Sequence, residues 1–266
     1  MDWGMANRLG RIFRPDSKRT VMLAVDHGYF LGPTSGLEKL GDTIAPLLPH
    51  ADCLMLTRGA LRQWVPPTTN IPIMLRVSGG TSIVSNDNET SALSNESLSV
   101  SMEDALRLNV SGVAVSIFVG TEHERQTLDN LSQMVDLGER HGVPVLAVTA
   151  VGRDMVRELR YLALCCRLSA ELGAHIVKTY YCDGFEKIIE ATPAPVVIAG
   201  GKKIPERDAL QLAFDAVDRG AAGVDMGRNI FQSAAPVQMI QAVGAIVHQN
   251  ATVEDAWGLV APALGA

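Results

Sequence analysis

Residues 196–226 read VVIAGGKKIPERDALQLAFDAVDRGAAGVDM, a stretch in which two short apolar runs are separated by a longer segment. The run 196–199 is apolar at every position, which is typical of a strand covered on both faces in a parallel sheet. Between the runs, apolar residues recur three to four positions apart, at Leu210, Ala213 and Val217, and this period indicates a helix. The stretch therefore predicts one strand–helix–strand unit.

The same alternation of apolar run and helical segment continues through the whole chain. The eight runs are Val21 to Val25, Cys53 to Leu56, Ile73 to Leu75, Val113 to Phe118, Pro144 to Val148, His175 to Val177, Val196 to Ala199 and Gly223 to Met226. Eight units in about 250 residues favour a closed (β/α)8 barrel, the TIM barrel, over an open doubly wound sheet. Counting strands does not prove closure, so the open sheet stays an alternative. Because no Pro/Ser-rich linker divides the chain, we expect a single α/β barrel domain over residues 1–266.

The composition excludes several classes of protein. There are 23 Lys and Arg against 29 Asp and Glu, a formal net charge of −6, and no basic run, which argues against a nucleic-acid partner. No apolar stretch approaches the roughly 18 residues that span a bilayer, and the first residues lack the apolar core of a signal peptide. The cysteines Cys53, Cys165, Cys166 and Cys182 form no C-x-x-C pair. We expect a cytoplasmic protein that binds neither nucleic acid nor membrane.

In a barrel of this kind, functional groups lie at the carboxyl ends of the strands, so the residues that follow each apolar run are the candidates. These segments are Asp26-His27-Gly28, Thr57-Arg58-Gly59, Arg76-Val77-Ser78-Gly79-Gly80, Val119-Gly120, Thr149 to Gly152, Lys178-Thr179-Tyr180-Tyr181, Gly200-Gly201-Lys202-Lys203 and Gly227-Arg228-Asn229. These polar residues are therefore concentrated at one end of the predicted barrel. A long polar stretch, Ser85 to Ser101, follows the third run and is either a lid over the site or a surface insertion.

The last two segments carry the signature of an anion site. Barrels commonly bind phosphate with the loops after the seventh and eighth strands, where glycines let backbone N–H groups approach the anion. Gly200-Gly201 and Gly227 provide such glycines, and Arg228 adds a guanidinium fork that suits phosphate oxygens. The alternative is that these glycines only permit tight turns. We predict a phosphorylated substrate, with Lys202 and Lys203 as further cations of the clamp.

Lys178 is the candidate nucleophile. It ends an apolar run, where desolvation disfavours the charged form of an amine and makes it a usable nucleophile toward a carbonyl. A lysine at such a position is also a common ion-pair partner or phosphate ligand, and Lys202 and Lys203 are rivals for its role. Asp26, after the first run, is either its ion-pair partner or an acid/base.

Metal and cysteine chemistry are both poorly supported by the sequence. Of the six histidines only His27 follows a predicted strand, and no histidine or carboxylate cluster supplies a ligand set, so we expect no metal. Cys166 falls on the apolar face of its predicted helix. Cys182 lies near Lys178 but has only His27 as a histidine at a comparable strand end.

The motifs at Asp26-His27-Gly28, Lys178 to Tyr181, Ala199 to Lys202 and Gly227 to Asn229 together resemble the class I aldolase family that includes archaeal-type fructose-bisphosphate aldolase. The order and spacing match from about Asn7 to Trp257. Within that family, three longer stretches look like a thiolase branch that acts in autoinducer-2 degradation. They are TVMLAVDHGYFLGP (20–33), VIAGGKKIPER (197–207) and GVDMGRNIFQS (223–233).

This resemblance implies the roles of individual residues. It makes Lys178 the Schiff-base lysine and Asp26 a carboxylate of the site. The residues implied to bind the substrate phosphate are Gly200, Gly201, Lys202, Gly227 and Arg228, and possible substrate contacts are His27, Arg58 and Tyr180. Aldolases of the family carry an acid/base tyrosine after the fifth strand, whereas this chain has Ala150 at the matching position.

The resemblance also implies the reaction. The branch is understood to transfer an acetyl group from a phosphorylated pentanedione to coenzyme A, which is a co-substrate and not a permanently bound cofactor, and to release dihydroxyacetone phosphate. Absence of the tyrosine favours this thiolase over the alternative, an aldolase that cleaves a phosphorylated sugar such as fructose 1,6-bisphosphate. Members of the family are often homo-oligomers, which leads us to expect a pentamer or decamer.

Overall fold

A computed structural model describes residues 2–80, 82, 94–150 and 157–265 of the chain. Its ten strands are β1 (Thr20–Ala24), β2 (Cys53–Thr57), β3 (Ile73–Arg76), β4 (Ser78–Gly79), β5 (Ser97–Leu98), β6 (Gly112–Ile117), β7 (Val145–Thr149), β8 (Ile176–Thr179), β9 (Val196–Ala199) and β10 (Gly223–Met226). Eight of them pair in parallel, in the order β1-β10-β9-β8-β7-β6-β3-β2, and β1 also pairs with β2. The sheet is therefore closed, which confirms the predicted barrel and rules out the open sheet.

Helices follow the strands and cover the outside of the barrel. They are α1 (Trp3–Ile12), α2 (Gly28–Leu31), α3 (Leu40–Ile44), α4 (Arg58–Trp64), α5 (Met102–Arg107), α6 (Glu124–His141), α7 (Leu159–Glu171), α8 (Phe185–Ala191), α9 (Glu206–Asp218), α10 (Arg228–Phe231), α11 (Pro236–Gln249) and α12 (Val253–Leu264), with a 3-10 turn at Leu48–His50. No helix in the described part of the chain is long and apolar enough to cross a membrane.

Alternate residues of each strand face two different cores. Val21 and Leu23 of β1 belong to the large core beneath the helices, whereas Met22 and Ala24 belong to a smaller core inside the barrel. This alternation is the period of two of a β-strand, and both sets are buried because the sheet is covered on both sides. In each strand, the side chains that alternate in phase with the residues of this smaller core therefore point into the barrel.

Helix α1 covers the end of the barrel where the strands begin. Its last residue, Ile12, is fully buried among the inward side chains, which include Met22 and Cys53, and Phe13 packs against the same group. Arg8 Nη1 ties the helix to the carbonyl of Gly142, the residue after α6, at 2.9 Å. Among the described residues, the interior is thus closed at this end, and a cavity opens at the carboxyl ends of the strands.

Several of the predicted strand ends are placed differently in the structure, and the extensions matter for the site. The second run extends to Thr57, the third to Arg76, the fifth to Thr149, and the sixth to Lys178 and Thr179, whereas the first and fourth end one residue early, at Ala24 and Ile117. These polar residues continue the ladders of hydrogen bonds, so they belong to strands and not to the loops that follow. A strand holds a side chain in a more fixed direction than a loop does.

Part of the polar stretch Ser85 to Ser101 returns to the barrel. Residues 85–93, on which the lid hypothesis depends, lie outside the described residues. After them, Ser97–Leu98 forms an antiparallel pair with Ser78–Gly79 just beyond β3. Glu96 is buried there, and its carbonyl accepts hydrogen bonds from side chains of α6, so this portion is anchored to the barrel.

Candidate active site

A cavity of about 190 Å³ opens at the carboxyl ends of the barrel strands. Its lining includes Asp26, His27, Lys178, Tyr180, Gly200, Gly201, Gly227 and Arg228, all of which were predicted from the sequence as site residues. Ala150, the residue at the position of the family's tyrosine, also lines it, while its neighbours Val151 and Gly152 lie outside the described residues. The cavity brings the nucleophile candidate and the anion-binding candidates into one space.

Lys178 projects from β8 into the base of this cavity. Its Nζ lies 2.9 Å from Oδ2 of Asp225 on β10 and 3.8 Å from Sδ of Met55 on β2. The Lys178 side chain is 10% exposed and the Asp225 side chain is fully buried. A buried carboxylate beside a buried amine provides a proton acceptor next to the nucleophile.

Asp26 is held by Arg76, not by Lys178. Arg76 Nε and Nη2 donate to Asp26 Oδ2 at 3.0 and 2.9 Å, and Arg76 Nη1 donates to Ser116 Oγ at 2.6 Å. The Asp26 and Arg76 side chains are only 6% and 5% exposed, so the pair lies out of contact with bulk water. Charge-assisted hydrogen bonds of this kind fix both partners in one geometry.

Two carboxyl groups of the cavity, those of Asp26 and Asp225, have pKa values shifted in opposite directions. Burial alone would raise the pKa of Asp26, but the positive charges of Arg76 and Lys178 outweigh burial and hold that pKa below its usual value. Burial raises the pKa of Asp225, and the attraction of Lys178 offsets this only in part. Asp26 is therefore a permanent anion near neutral pH, while Asp225 is the better proton acceptor.

His27 lies between these charges and the aromatic ring of Phe231. Its Nδ1 is 3.9 Å from Asp26 Oδ1, its side chain is 12% exposed, and its ring meets that of Phe231 edge to face. Burial lowers the pKa of His27 to about 4, and the nearby negative charge of Asp26 offsets this only in part. The imidazole is consequently neutral at pH 7.

This low pKa predicts a loss of stability in acid. A histidine that ionises at about 4 when folded and 6.5 when unfolded binds fewer protons in the folded state between these values, so stability falls as pH falls through that range. At pH 5 the loss amounts to about 2 kcal/mol relative to pH 7.5. Urea unfolding of wild type and His27→Gln at both pH values should show the loss only in wild type. His141→Gln, which replaces an exposed histidine, is the control, and an NMR titration of His27 near 6.5 would contradict the prediction.

The glycine-rich loops form one end of the cavity. Asn229 is fully buried, and its Nδ2 donates to the Gly200 carbonyl at 2.7 Å, while its Oδ1 accepts from the Ile204 N–H at 2.9 Å. Gly201 has a φ of +69°, a conformation that favours glycine. At Gly227 a Cβ atom would approach the Ala24 carbonyl to 2.3 Å, so only glycine fits there. Backbone groups are thus held in place where an anion would bind.

Two guanidinium groups face this glycine-rich end. Arg228 is half-buried, and its Nε has no hydrogen-bonding partner among the described residues. Burial lowers the pKa of Arg228, Tyr180 opposes this, and the charge of Arg157 adds to the lowering. Arg157 stacks on the ring of Tyr180 at 3.7 Å from its centroid and lies within 3.5 Å of where a Gly201 Cβ would be. Two like charges near the glycine-rich loops suit a phosphate dianion.

Three basic residues predicted from the sequence lie elsewhere. Lys202 is exposed and is not among the described residues that line the cavity. Lys203 Nζ pairs with Glu206 at 2.9 Å and donates to the Ile204 carbonyl, so it serves the start of α9. Arg58 lines a second, adjoining cavity, where it pairs with Asp104 at 2.9 Å.

The opposite wall contains two residues, Tyr29 and Glu96, that the sequence did not single out. Tyr29 Oη donates to Glu96 Oε1 at 2.7 Å, and Ser78 Oγ donates to Glu96 Oε2 at 2.6 Å. Both Tyr29 and Glu96 line the cavity. Burial raises the pKa of Tyr29, and the adjacent negative charge of Glu96 raises it further even though Arg76 opposes the shift. Tyr29 is therefore a hydrogen-bond donor and not a base near neutral pH.

The alternation of side chains along the strands is a sequence signal for part of the site, including Asp225, which was not singled out. Met74 and Ile176 point into the barrel, and Arg76 and Lys178 follow them by two residues, so their side chains point the same way. Asp225 also points inward, toward Lys178. A charged residue at an inward position of an otherwise apolar strand is the signal. No comparable signal marks Glu96 or Arg157, which are brought to the site by irregular chain.

The four cysteines offer no reactive thiol. All four are free, and Cys53, Cys165 and Cys166 are buried. Burial raises the pKa of Cys165 to about 11 and that of Cys166 to about 12, and it also raises the pKa of Cys53 and Cys182. Thiols with such pKa values are poor nucleophiles at neutral pH.

Comparisons with known proteins agree with this geometry. The chain is 57% identical over 260 residues to the 3-hydroxy-5-phosphonooxypentane-2,4-dione thiolase of Photorhabdus laumondii subsp. laumondii, which covers 97% of this chain and 87% of the relative. It is 56% identical to the protein of that name in Yersinia enterocolitica, with the same coverage.

Solved structures share the fold. An archaeal fructose 1,6-bisphosphate aldolase superposes with a TM-score of 0.79 at 22% identity and covers 93% of this chain and 100% of its own. Another structure of an archaeal fructose-1,6-bisphosphate aldolase, with a TM-score of 0.79 and 22% identity, is described as having the catalytic Lys covalently bound to the carbinolamine intermediate of the substrate; it covers 92% of this chain and 99% of its own. A family model described as DeoC/LacD family aldolase matches residues 20–233. The family resemblance predicted from the sequence is thus confirmed, and the chain belongs to the DeoC/LacD family of aldolases.

Proposed function

We propose that this chain is a thiolase that cleaves 3-hydroxy-5-phosphonooxypentane-2,4-dione with coenzyme A to acetyl-CoA and dihydroxyacetone phosphate. The observation that carries the proposal is one cavity with a buried amine, Lys178, at its base and two guanidinium groups beside glycine-rich loops at its end. The 57% identity to a curated thiolase of this name supports the choice of substrate. The physiological setting we infer is autoinducer-2 breakdown.

The proposed reaction begins with the amine. Asp225 accepts a proton from the Lys178 ammonium, and the free Nζ attacks the C4 carbonyl, which adjoins the carbon that carries the phosphate. The carbinolamine loses water to become an iminium ion. Asp225 has the raised pKa that suits a proton carrier at 2.9 Å from the amine.

Cleavage then uses this iminium as an electron sink. The sulfur of coenzyme A attacks the C2 carbonyl, the C2–C3 bond breaks, and its electron pair moves into the iminium to give an enamine. Acetyl-CoA forms, and the proton lost by the thiol is balanced by a proton that C3 gains. Water hydrolyses the resulting imine, which releases dihydroxyacetone phosphate and regenerates the Lys178 amine.

Asp26, Arg76 and Tyr29 have positioning roles in this scheme. The Asp26 anion, fixed by Arg76, faces the cavity and favours the cationic iminium electrostatically. Tyr29 Oη is turned toward Glu96. No residue of this set needs to titrate during turnover.

The guanidinium pair predicts a specific binding defect. Each of Arg157→Gln and Arg228→Gln removes a charge-assisted contact to the substrate phosphate and should raise the KM for the dione about 10- to 100-fold, with a smaller effect on kcat. Steady-state kinetics with the dione varied at saturating coenzyme A measures this. Arg125→Gln, which replaces an exposed arginine on α6, is the control. Unchanged KM values in both variants would remove these residues from the phosphate site.

The alternative activity is an aldolase that cleaves a phosphorylated sugar. Ala150 in the cavity lining leaves no phenol at the position that serves as acid/base in such aldolases, and the curated relatives carry a thiolase name. Incubation with the dione, with and without coenzyme A, separates the two. Acetyl-CoA and dihydroxyacetone phosphate in equal amounts are expected, and turnover indifferent to coenzyme A would disprove the thiolase.

We further propose that the protein works in the cytoplasm as a homo-oligomer of five or ten subunits, without a permanently bound cofactor. The family resemblance supports the subunit number, and free cysteines suit a reducing compartment. Mass measurement by light scattering tests the oligomer, and a monomer at micromolar concentration would contradict it.

A further inference from the structure

A second cavity, of about 410 Å³, adjoins the one that contains Lys178. Tyr29 and Arg76 line both cavities and form the wall between them. The rest of the second cavity comes from the ends of β2 and β3 and from the β4–β5 pair, with Gly59, Gly79 and Gly80 in its lining. At Gly59 a Cβ atom would meet nothing within 4 Å, so space extends beyond the backbone.

Three arginines gather beside this cavity around a single carboxylate. Arg58, which lines the cavity, pairs with Asp104 Oδ2 at 2.9 Å, Arg62 pairs with Asp104 Oδ1 at 3.0 Å, and Arg107 also pairs with Asp104. We call these three residues the arginine cluster. Three cations against one anion leave a surplus of two positive charges in a chain whose net charge is −6. The side chains are 40%, 46% and 70% exposed, so they have unused donors that face solvent.

The order of the strands decides which end of the substrate faces the second cavity. In the closed ring, β9 lies four positions from β3, and β10 lies four positions from β6, so these strands are on opposite sides. The glycine-rich phosphate end follows β9 and β10, whereas Arg76 and Ser116 come from β3 and β6. A dione held by its phosphate, with C4 at Lys178, therefore directs its acetyl end toward the wall formed by Tyr29 and Arg76.

The acyl acceptor must reach that acetyl end. A thiol that arrives from the second cavity approaches it without displacing the phosphate from its site. Coenzyme A, the acyl acceptor in the proposed reaction, is a long molecule whose phosphates lie far from its sulfur. Arginine forks bind phosphate oxygens in a planar, bidentate manner, which suits the cluster to such a group.

We propose that the arginine cluster binds the phosphates of coenzyme A and that its pantetheine arm lies along the second cavity, with the thiol at the Tyr29–Arg76 wall. This assignment rests on the proposed thiolase function and adds the residues that hold its second substrate. Asp104 positions the three guanidinium groups and is not itself a ligand.

The test compares thiols that differ only in their phosphates. Wild type and the double variant Arg58→Gln/Arg62→Gln are assayed with coenzyme A, with dephospho-coenzyme A and with pantetheine, at a saturating concentration of the dione. The double variant should lower kcat/KM for coenzyme A about 10- to 100-fold, lower it less for dephospho-coenzyme A, and lower it least for pantetheine, which has no phosphate. The KM for the dione should not change.

Controls separate the role in binding from folding and from the reaction itself. Arg125→Gln removes an exposed arginine elsewhere and should match wild type with all three thiols, while Arg58→Lys should retain part of the preference for coenzyme A. Calorimetric titration with adenosine 3′,5′-bisphosphate reports binding without turnover. Wild type should bind it and the double variant should bind it at least about tenfold more weakly.

Three results would overturn the assignment in distinguishable ways. If wild type forms acetyl-CoA but the double variant keeps the same preference for coenzyme A over pantetheine, the arginine cluster is a surface ion-pair network and only this inference fails. If wild type forms no acetyl thioester with any of the three thiols, the proposed function itself fails. Equal losses with coenzyme A and pantetheine would indicate damage to the fold and also reject the cluster as the phosphate site.

Discussion

Lys178→Met should lower kcat for cleavage of the phosphorylated dione by at least about 1,000-fold, because it removes the nucleophile and with it the electron sink. Methionine has nearly the length of lysine and leaves Asp225 facing an uncharged neighbour. Since burial already raises the pKa of Asp225, that carboxyl group can take up a proton, and the variant should fold. Steady-state kinetics and thermal unfolding measure the two effects.

Chemical trapping identifies the covalent step directly. Wild type incubated with the dione and borohydride, without coenzyme A, should gain the mass of one reduced adduct, and peptide mapping should locate it at Lys178. Lys187→Met, which replaces an exposed lysine on α8, is the matched control and should form the same reduced adduct as wild type. An adduct that persists in Lys178→Met, or full activity of that variant, would show that another group forms the imine.

Arg76→Met should destabilise the protein by about 3–5 kcal/mol, the usual cost of leaving one member of a buried ion pair without its partner. The Arg76 guanidinium donates to Asp26 twice and to Ser116 once, at 5% exposure, so its loss strands a buried carboxylate. Lys178 cannot replace Arg76 as the partner of Asp26, because its Nζ already pairs with Asp225. Urea unfolding at pH 7 measures the free energy of unfolding.

A double variant shows whether the stranded charge is the cause. Asp26→Asn/Arg76→Met removes the unpaired carboxylate and should lose less stability than Arg76→Met alone, so that the two substitutions are not additive. Arg125→Met on the exposed face of α6 should change the free energy of unfolding by no more than about 0.5 kcal/mol. A cost below about 1 kcal/mol for Arg76→Met would mean that Asp26 finds another partner.

The barrel was predictable because its strands are apolar where the sheet is covered on both faces. The count of eight units favoured closure of the sheet but did not determine it, since no single run specifies its neighbours. Closure depends on β1 pairing with both β2 and β10. The predicted runs also ended too early, before Arg76 and Lys178, because a prediction from hydrophobicity ends a strand at its first polar residue, whereas these two polar residues are buried and continue their strands.

The site was predictable to the extent that it lies immediately after the strands. Lys178, Asp26 and Arg228 converge on one cavity as predicted. Lys203 was predicted to be a cation of the phosphate site, but a lysine near the start of a helix can instead form a local ion pair, here with Glu206. Glu96 reaches the site only through the β4–β5 pair, a long-range contact that no local spacing encodes.

Helix α1 has a consequence for the kinetics. Because Ile12 fills the far end of the barrel, the cavity of Lys178 is reached, in the part of the chain that the structure describes, from the carboxyl ends of the strands, where the second cavity adjoins it. Coenzyme A placed along the second cavity, as proposed above, covers the way to Lys178 once it has bound. We therefore expect the dione to bind before coenzyme A and acetyl-CoA to leave before dihydroxyacetone phosphate, and the product-inhibition patterns of an ordered mechanism would test this expectation.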